Sequence, residues 1–372
     1  MKVLFLINYA GKGGSEKYVQ VLTEYLKGKA EVFFAYSEDG PLVNSMINLG
    51  ATIFNLKMKS AFDFGAARKL ASYCGENKID IVHTQFPREG YIAIHAKKMY
   101  PAIKIIHTAH LILEQPFLWK LLNSIFSKHN DAVITVCNKC REVMEKNKYP
   151  GDKMHVIFNG VPYKPYAHNI TNSSMRKDFN IPPDEFVFVS VARFTEEKGL
   201  PFLIESVKRL VSIMDDKKFT VLLVGDGALE GQLKKLADGY GLSSYIKFAG
   251  YRDDIENILM GSNCFINSSN SEALSFAILE ALSKALPVIA TKVGGNFDII
   301  NEKTGCGILV RYGSDIQMAR AMEKMIFNSD FYKECSKNAV LNIKNNFNLE
   351  NSCEDTFELY TQIIKEDEEN DN

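Results

Sequence analysis

Residues 3–27 of the chain read VLFLINYAGKGGSEKYVQVLTEYLK, an apolar run followed by a glycine-rich turn and a patterned stretch. The five apolar residues 3–7 are fewer than the roughly 7–15 of a signal-peptide core, and they predict a buried strand. In residues 15–27 apolar side chains recur every three or four positions, which predicts a helix with one apolar face. Strand, turn and helix in this order predict the first half of a βαβ unit.

The same alternation continues through the chain and breaks once. Predicted strands cover residues 3–7, 32–36, 52–56, 79–83, 103–107, 132–136 and 154–158, and then 186–191, 219–224, 246–248, 264–266, 287–290 and 307–310. Continuous apolar strands of this kind are typical of parallel sheets covered on both faces. Residues 160–184 are rich in Pro, Asn and Ser, as expected of a connector.

We therefore expect an α/β protein with two doubly wound Rossmann-like lobes. An N-terminal lobe is expected in residues 1–165 and a C-terminal lobe in residues 166–350. Residues 351–372 are expected to hold a last helix, 352–365, that packs back on the N-terminal lobe, and a frayed acidic tail.

The composition excludes several classes of protein. The 372 residues are 46% apolar and 24% charged with a formal net charge of −1, which is ordinary for a folded protein and unlike a dedicated nucleic-acid binder. No run of about 18 uncharged apolar residues predicts a membrane span. Seven scattered cysteines indicate a reduced compartment, and we interpret the Cys137–Cys140 spacing as helix-start packing rather than a zinc site.

Ligands of open α/β sheets bind beyond the carboxyl ends of strands, so the loops there hold the candidate site residues. Gly13 and Gly14 follow the first strand, but no Gly-Lys-Ser/Thr run completes a phosphate loop. What remains is a glycine turn at a helix N-terminus, which is either a weak anion site or an ordinary turn. Of the two histidines at the end of the strand 103–107, His107 lies within the strand and His110 lies in the loop beyond it. His110 is therefore the better candidate for a role near a reacting centre.

The second half of the chain carries stronger signals. Arg193 and Lys198 flank a strand-to-helix turn and are expected either to converge on a diphosphate or to be solvated surface charges. Gly225-Asp226-Gly227 is half of a dinucleotide fingerprint and is weak as a nicotinamide motif. The strongest signal is Glu272 in a loop and Glu280 on the following helix, where a carboxylate among apolar neighbours needs a partner such as a polyhydroxyl ligand.

Together these residues resemble the large retaining glycosyltransferase family four, whose members have the two-lobed GT-B fold with lobes facing a cleft. The resemblance covers nearly the whole chain and rests on the order and spacing of modest motifs. These are Gly13-Gly14, Asn159-Gly160-Val161, Arg193 with Lys198, Gly225-Asp226-Gly227, the segment 248–255, Glu272 with Glu280, and Pro287-Val288-Ile289-Ala290 with Gly294-Gly295.

The resemblance implies transfer of a sugar from a nucleotide-diphosphate-sugar, with a UDP-sugar as the expected donor, and retention of the anomeric configuration. It implies that Arg193 and Lys198 hold the diphosphate, that Glu272 contacts the transferred sugar and that Glu280 accepts ribose hydroxyls. His110 would lie near the sugar. The further residues implied to bind the donor are Gly13, Gly14, Gly225, Tyr251, Leu274, Ser275 and Phe276.

Some positions depart from the family pattern. Ala273 follows the first glutamate where Gly is frequent, Asp298 stands where Glu is usual, and Gln85 stands where a second histidine is common. No D-x-D occurs, so neither a catalytic metal nor another cofactor is expected, and side-chain cations would do that work. A nucleotide-sugar 2-epimerase of the same fold, a nicotinamide oxidoreductase and a binding protein with an inactive site are the alternatives.

The acceptor is expected to be a glycan, a lipid-linked glycan or a small hydroxyl compound. The segment from Lys97 to Lys153 contains ten basic and five acidic residues, and Phe117-Leu118-Trp119 falls within it. This arrangement predicts either contact with anionic lipid headgroups or a buried aromatic cluster under a solvated basic rim. The protein is expected to be cytoplasmic and, in the first case, to lie at the inner face of the membrane.

Overall fold

The computed structural model describes residues 1–164, 173–214 and 219–370, which form two compact units. Unit 1 comprises Met1–Asn159 and Glu350–Asn372, and unit 2 comprises Gly160–Leu349. Part of the predicted connector, residues 165–172, lies outside the described residues, as do residues 371–372 of the predicted tail.

Unit 1 is built on a seven-stranded sheet whose strands are all parallel, in the order β3-β2-β1-β4-β5-β6-β7. Its strands are β1 (Lys2–Tyr9), β2 (Glu31–Glu38), β3 (Thr52–Asn55), β4 (Ile81–Thr84), β5 (Lys104–Ala109), β6 (Ala132–Thr135) and β7 (Met154–Val156). Its helices are α1 (Gly14–Leu26), α2 (Pro41–Asn48), α3 (Phe64–Asn77), α4 (Pro87–Met99), α5 (Phe117–Phe126) and α6 (Asn138–Lys146), with α15 (Leu349–Asn370) at the end of the chain.

Unit 2 repeats the plan with six parallel strands in the order β10-β9-β8-β11-β12-β13. Its strands are β8 (Phe186–Val191), β9 (Phe219–Val224), β10 (Ile246–Gly250), β11 (Cys264–Asn267), β12 (Val288–Thr291) and β13 (Gly307–Val310). Its helices are α7 (Met175–Asp178), α8 (Leu200–Ile213), α9 (Glu230–Gly239), α10 (Ile255–Gly261), α11 (Phe276–Ser283), α12 (Asn296–Ile299), α13 (Asp315–Phe327) and α14 (Ser329–Asn346).

The predicted pair of doubly wound Rossmann-like units is confirmed. Residues 3–7 of β1 are fully buried, and so are residues 221–224 of β9, as expected for strands covered on both faces. In each sheet the strand order reverses once, between β1 and β4 in unit 1 and between β8 and β11 in unit 2. Ligands of open α/β sheets bind beyond the carboxyl ends of the strands at such a switch point.

The C-terminal helix is longer than predicted. We expected residues 352–365 to be helical and the acidic end to fray, but α15 continues to Asn370. Glutamate, the commonest residue of this end, has good intrinsic helix propensity, and each residue added to an existing helix gains one hydrogen bond without a new nucleation cost. The prediction of a frayed tail is therefore wrong through residue 370.

One buried hydrogen bond joins this helix to the centre of unit 1. The hydroxyl of Tyr360 lies 2.5 Å from Nδ1 of His83 on β4, and both side chains have no exposed surface. The other nitrogen of His83, Nε2, lies 2.6 Å from the hydroxyl of Thr108 on β5. Burial lowers the pKa of His83 well below its usual value, with His110 and His107 adding to the effect, so the ring is a neutral structural group.

The cysteines are structural, as the sequence indicates. All seven lie within the described residues, are buried and form no disulfide. Cys137 is the N-cap of α6, where its sulfur accepts a hydrogen bond from the backbone N–H of Cys140 at 3.2 Å. The interpretation of this C-x-x-C as helix-start packing is confirmed.

Candidate active site

At the switch point of unit 2, the loop after β8 is tied to the loop after β11. The hydroxyl of Ser268 donates to the carbonyl of Lys198 at 2.8 Å, and the N–H of Asn270 donates to the carbonyl of Glu197 at 2.9 Å. Gly199 has φ +60°, and a Cβ there would lie 2.2 Å from the carbonyl oxygen of Ser268. Only glycine allows this conformation at this distance, so Gly199 keeps Lys198 beside the β11 loop.

Glu272 is the centre of this site, and its contacts use one carboxylate oxygen. Its Oε1 lies 2.8 Å from Nζ of Lys198 and accepts hydrogen bonds from Ser269 Oγ at 2.7 Å and Asn267 Nδ2 at 3.2 Å. The side chain is only 10% exposed. Within the described part of the chain Oε2 has no hydrogen-bond partner. Three donors on one oxygen fix the orientation of the carboxylate, and the second oxygen is left to accept from a ligand.

Arg193, the other cation expected at the diphosphate, forms its ion pair with Glu197. Its guanidinium is 73% exposed and lies 3.3 Å from Oε1 of Glu197, a carboxylate also bonded by Thr195 Oγ1 at 2.7 Å. The ion pairs of this region are thus Arg193 with Glu197 and Lys198 with Glu272. The sequence contained these acids but gave no sign that they would be the partners.

The glycines after β9 have a packing role. Gly225 has φ +130° and Gly227 has φ +150°, and a Cβ on them would lie 1.9 Å from the carbonyl oxygen of Ala192 and 2.6 Å from that of Phe194. These glycines let the β9 loop approach the loop that carries Arg193. Tyr251, beyond the neighbouring strand β10, is 61% exposed.

The loop after β11 leads into α11, where the remaining donor-binding candidates lie. Ser275 caps the helix, and its hydroxyl accepts from the N–H of Ile278 at 3.4 Å. The N–H groups of Leu274 and Ser275 have no acceptor among the described residues, so this helix N-terminus presents donors to an anion. Phe276 begins α11 and Glu280 lies one turn further on, and both are half-buried.

In unit 1, the candidate residues lie at the carboxyl ends of β1 and β5. Gly13 is the N-cap of α1 and Gly14 its first residue, so both lie at a helix N-terminus as predicted. A Cβ on Gly13 would lie 2.6 Å from Oε2 of Glu16, the movable end of a side chain. The backbone of Gly13 is extended, with φ −156°, which any residue can adopt. What glycine provides at this position is space beside the turn.

His110 directly follows β5, whereas His107 lies inside the strand. The ring of His110 is half-buried, and its Nε2 lies 2.8 Å from Oε1 of Gln85. Burial, with a smaller contribution from His107, lowers the pKa of His110 to about 3, so His110 is neutral near pH 7. A neutral imidazole can exchange hydrogen bonds with a hydroxyl but cannot supply positive charge to a diphosphate.

Sequence reasoning missed a buried carboxylate, Glu89, in the first turn of α4. Its Oε1 accepts from the backbone N–H of Asn8 at 2.5 Å, and its Oε2 is buried and has no partner in the described residues. Burial raises the pKa of Glu89 to about 7. Hydrogen bonds from backbone N–H groups and the charge of Arg88 lower this pKa, but by less than burial raises it. Glutamate at the start of a helix is usually solvated, so no sequence signal marked this residue.

Comparison with known proteins places one family model on each half of the chain. The model described as "Glycosyltransferase Family 4" matches residues 12–164, and the model described as "Glycosyl transferases group 1" matches residues 172–341. Together they span the glycine turn of unit 1 and the Arg193, Lys198, Glu272 and Glu280 positions of unit 2.

Individual proteins of this kind are similar over most of their length. A UDP-Gal:alpha-D-GlcNAc-diphosphoundecaprenol alpha-1,3-galactosyltransferase of Escherichia coli is 27% identical over 301 residues, which are 78% of this chain and 77% of that protein. A glycosyltransferase from Rickettsia africae has the same fold, with a TM-score of 0.86, 24% identity and 98% of each chain covered. HepE from Anabaena, solved in complex with UDP, gives a TM-score of 0.85 at 20% identity, with 97% of this chain and 100% of that chain covered.

Proposed function

Because the chain belongs to glycosyltransferase family 4 and is a glycosyltransferase of the GT-B fold, we propose that it moves a hexose or N-acetylhexosamine from a UDP-sugar to a hydroxyl group with retention of configuration. The observation that carries this proposal is Glu272, whose Oε1 is held by three donors while Oε2 is left for a sugar hydroxyl. The E. coli relative and HepE, by their names, use or bind a uridine nucleotide, which supports UDP as the carrier.

The proposed donor site uses the loops after β8 and β11 of unit 2. Lys198 and the N–H groups of Leu274 and Ser275 would meet the diphosphate, and Arg193 would leave Glu197 to join them. Glu280 would accept the ribose hydroxyls. Gly13 and Gly14, at the N-terminus of α1, would let phosphate oxygens approach the backbone of unit 1.

Transfer then needs no protein nucleophile. The bond between the anomeric carbon and the diphosphate oxygen breaks while the acceptor oxygen attacks the same face, and a phosphate oxygen takes the acceptor's proton. The protein lowers the barrier by positioning both substrates and by stabilising the charge that develops on the diphosphate. We propose that side-chain cations supply this stabilisation without a metal ion.

A panel of labelled UDP-sugars with a sugar-lipid or oligosaccharide acceptor tests this function. We expect one donor to be consumed, with a product whose anomeric coupling constant matches that of the donor, and equal rates in excess chelator. Epimerisation of the donor without acceptor would identify the 2-epimerase instead. Activity restored only by a divalent cation would refute the metal-free part, and an inverted product would refute retention.

The acceptor is proposed to be a lipid-linked glycan, because unit 1 exposes an apolar helix face. Among the described residues, none of the helices is long and apolar enough to cross a bilayer. However, α5 turns its apolar side outward: Phe117 is 83% exposed, Leu118 64%, Leu121 50% and Ile125 56%. Exposed apolar residues concentrated on one helix face mark an interaction surface rather than ordinary scatter.

The inner side of α5 is packed against unit 1 and is fixed by a buried asparagine. Asn123 is buried and bonds to the hydroxyl of Tyr91 at 2.7 Å and to the carbonyl of Asn147 at 2.8 Å. Trp119 packs parallel to Phe62, with ring centres 6.3 Å apart. The sequence left a buried aromatic cluster and a membrane surface as alternatives. The helix α5 has a packed inner side and an exposed apolar outer side, and the outer side supports the proposal of a membrane surface.

Cations at the end of α5 favour an anionic membrane as the partner of this face. Nζ of Lys98 lies 5.1 Å from the ring centre of Phe126, and Lys153 donates to the carbonyl of Lys128 at 2.8 Å. Partial burial and the nearby ammonium groups of Lys98, Lys97 and Lys153 lower the pKa of His129. An apolar helix face with ammonium groups at its end fits the headgroup boundary of an anionic bilayer.

Sedimentation with vesicles tests this contact. Phe117→Ser with Leu121→Ser is expected to abolish binding to vesicles containing anionic lipid, and Lys98→Glu with Lys128→Glu to weaken it most at low salt. Ile47→Ser, which removes another half-exposed apolar residue of unit 1, is the control. Absent binding by the parent protein, or equal binding by all variants, would refute the membrane surface.

A further inference from the structure

Gln85 is a fully buried amide between two histidines at the end of β4. Its Nε2 donates to the backbone carbonyl of His83 at 3.3 Å, which turns its Oε1 toward Nε2 of His110 at 2.8 Å. The carbonyl that orients the amide is itself fixed, because both ring nitrogens of His83 are bonded, to Tyr360 and Thr108. The orientation of Gln85 is thus set from the side opposite His110.

We propose that Gln85 is a positioning residue that holds His110 as the neutral tautomer with its proton on Nε2, so that Nδ1 accepts a hydrogen bond from a substrate hydroxyl. An amide oxygen can only accept, so the ring nitrogen facing it carries the proton, and the other nitrogen carries a lone pair. In the described part of the chain Nδ1 of His110 has no hydrogen-bond partner. The inference rests on the proposed function, which gives His110 a substrate.

The groups around His110 keep the ring neutral. His107 and His83 are buried and neutral, and the rings of Tyr18 and Phe86 lie 5.1 and 6.1 Å away. In the described residues no carboxylate is hydrogen-bonded to His110, so nothing compensates for an imidazolium. A histidine at position 85 could present either a donor or an acceptor, and it would leave the tautomer of His110 undetermined.

Nitrogen NMR of the full chain labelled with ¹⁵N-histidine reads the tautomer directly. In the parent protein we expect the His110 signals, assigned by their loss in His110→Asn, to show a protonated Nε2 and an unprotonated Nδ1 from pH 5 to 8. In Gln85→Leu the tautomers should mix, and kcat/KM should fall by about two- to tenfold, the value of one hydrogen bond.

Gln85→Glu supplies the second readout. A carboxylate beside the ring favours the imidazolium, so His110 should titrate inside this pH range and transfer should fall on the acidic side while the parent remains flat. Gln20→Glu adds the same charge on the exposed side of α1. It should change neither the titration of His110 nor the pH dependence of transfer. Restored activity in Gln85→Asn would show that the amide, rather than the volume, matters.

Several outcomes would overturn the inference. These are a proton on Nδ1 in the parent, the same tautomer in Gln85→Leu as in the parent, or no titration of His110 in Gln85→Glu. The NMR result does not depend on activity. The expected tautomer together with no transfer from any UDP-sugar would therefore refute the proposed function and leave the role of Gln85 intact.

Discussion

Replacing Glu272 by glutamine should separate nucleotide binding from sugar transfer. Glutamine has nearly the same shape and keeps an oxygen for Ser269 and Lys198, but it removes the negative charge 2.8 Å from Nζ of Lys198. We expect Glu272→Gln to bind UDP more tightly than the parent and to lose transfer. The loss follows because the transferred sugar no longer meets a carboxylate oxygen at the position of Oε2.

The size of the gain in UDP affinity follows from Coulomb's law. A phosphate oxygen that accepts from Nζ of Lys198 would lie roughly 5 Å from Oε1 of Glu272, since each hydrogen bond spans about 3 Å. Two unit charges at that distance repel by ~1 kcal/mol in water and by ~3 kcal/mol at the effective dielectric constant of a protein site. Removing the repulsion should tighten UDP binding by about five- to 150-fold.

Calorimetric titration with UDP measures this change. Glu323→Gln is the matched control, because Glu323 forms an ion pair of the same kind with Arg320, at 2.7 Å on α13. Its affinity for UDP should equal that of the parent. Unchanged or weaker UDP binding by Glu272→Gln, with the control unaltered, would show that Lys198 does not hold the diphosphate while paired with Glu272.

Two further predictions concern stability. Gly199→Ala should lower the free energy of unfolding by ~1–3 kcal/mol more than Gly313→Ala in urea titrations, because both have a left-handed φ but only at Gly199 would a Cβ meet a backbone oxygen, that of Ser268. Equal losses would refute the contact. Burial raises the pKa of Glu89 from 4.5 to about 7, so the folded state binds more protons than the unfolded state between these values and stability falls as pH rises through that window. Glu89→Gln should therefore be more stable than the parent by ~1–3 kcal/mol at pH 8 and differ little at pH 4, and a gain at pH 4 equal to that at pH 8 would contradict this.

Strand positions were largely predictable because burial on both faces leaves long apolar runs in the sequence. Strands β8, β9 and β13 have the predicted bounds, whereas β4 begins at Ile81 rather than at residue 79. A strand ends where the adjacent strand of the sheet no longer offers hydrogen-bond partners. The adjacent strand can be far away in the sequence, so the residues around the strand end do not reveal it.

The site was predictable in its residue types but not in its pairings. Glu272 and Lys198 were both identified, yet their contact joins residues 74 positions apart, which no spacing rule reports. Likewise, Gln85 was visible only as a departure from a family pattern, and its role depends on the backbone of His83. The apolar residues of α5 have helical spacing, but spacing alone does not tell which side of a helix is covered.

The order of the chain has a consequence for biosynthesis. Unit 2 is an insertion within unit 1, and the two passages that bound it run side by side, with Val161 N–H donating to the carbonyl of Phe347 at 3.0 Å and Leu349 N–H donating to that of Val161 at 3.0 Å. Residues 160–349 have a sheet and a core of their own, whereas unit 1 lacks α15 until the end of the chain has been made. Until Tyr360 leaves the ribosome, His83 has no phenol to meet its buried nitrogen, so the half that is synthesised first is completed last. A chain truncated between residues 349 and 360 should therefore have a protease-resistant second half attached to a first half that proteases still cleave.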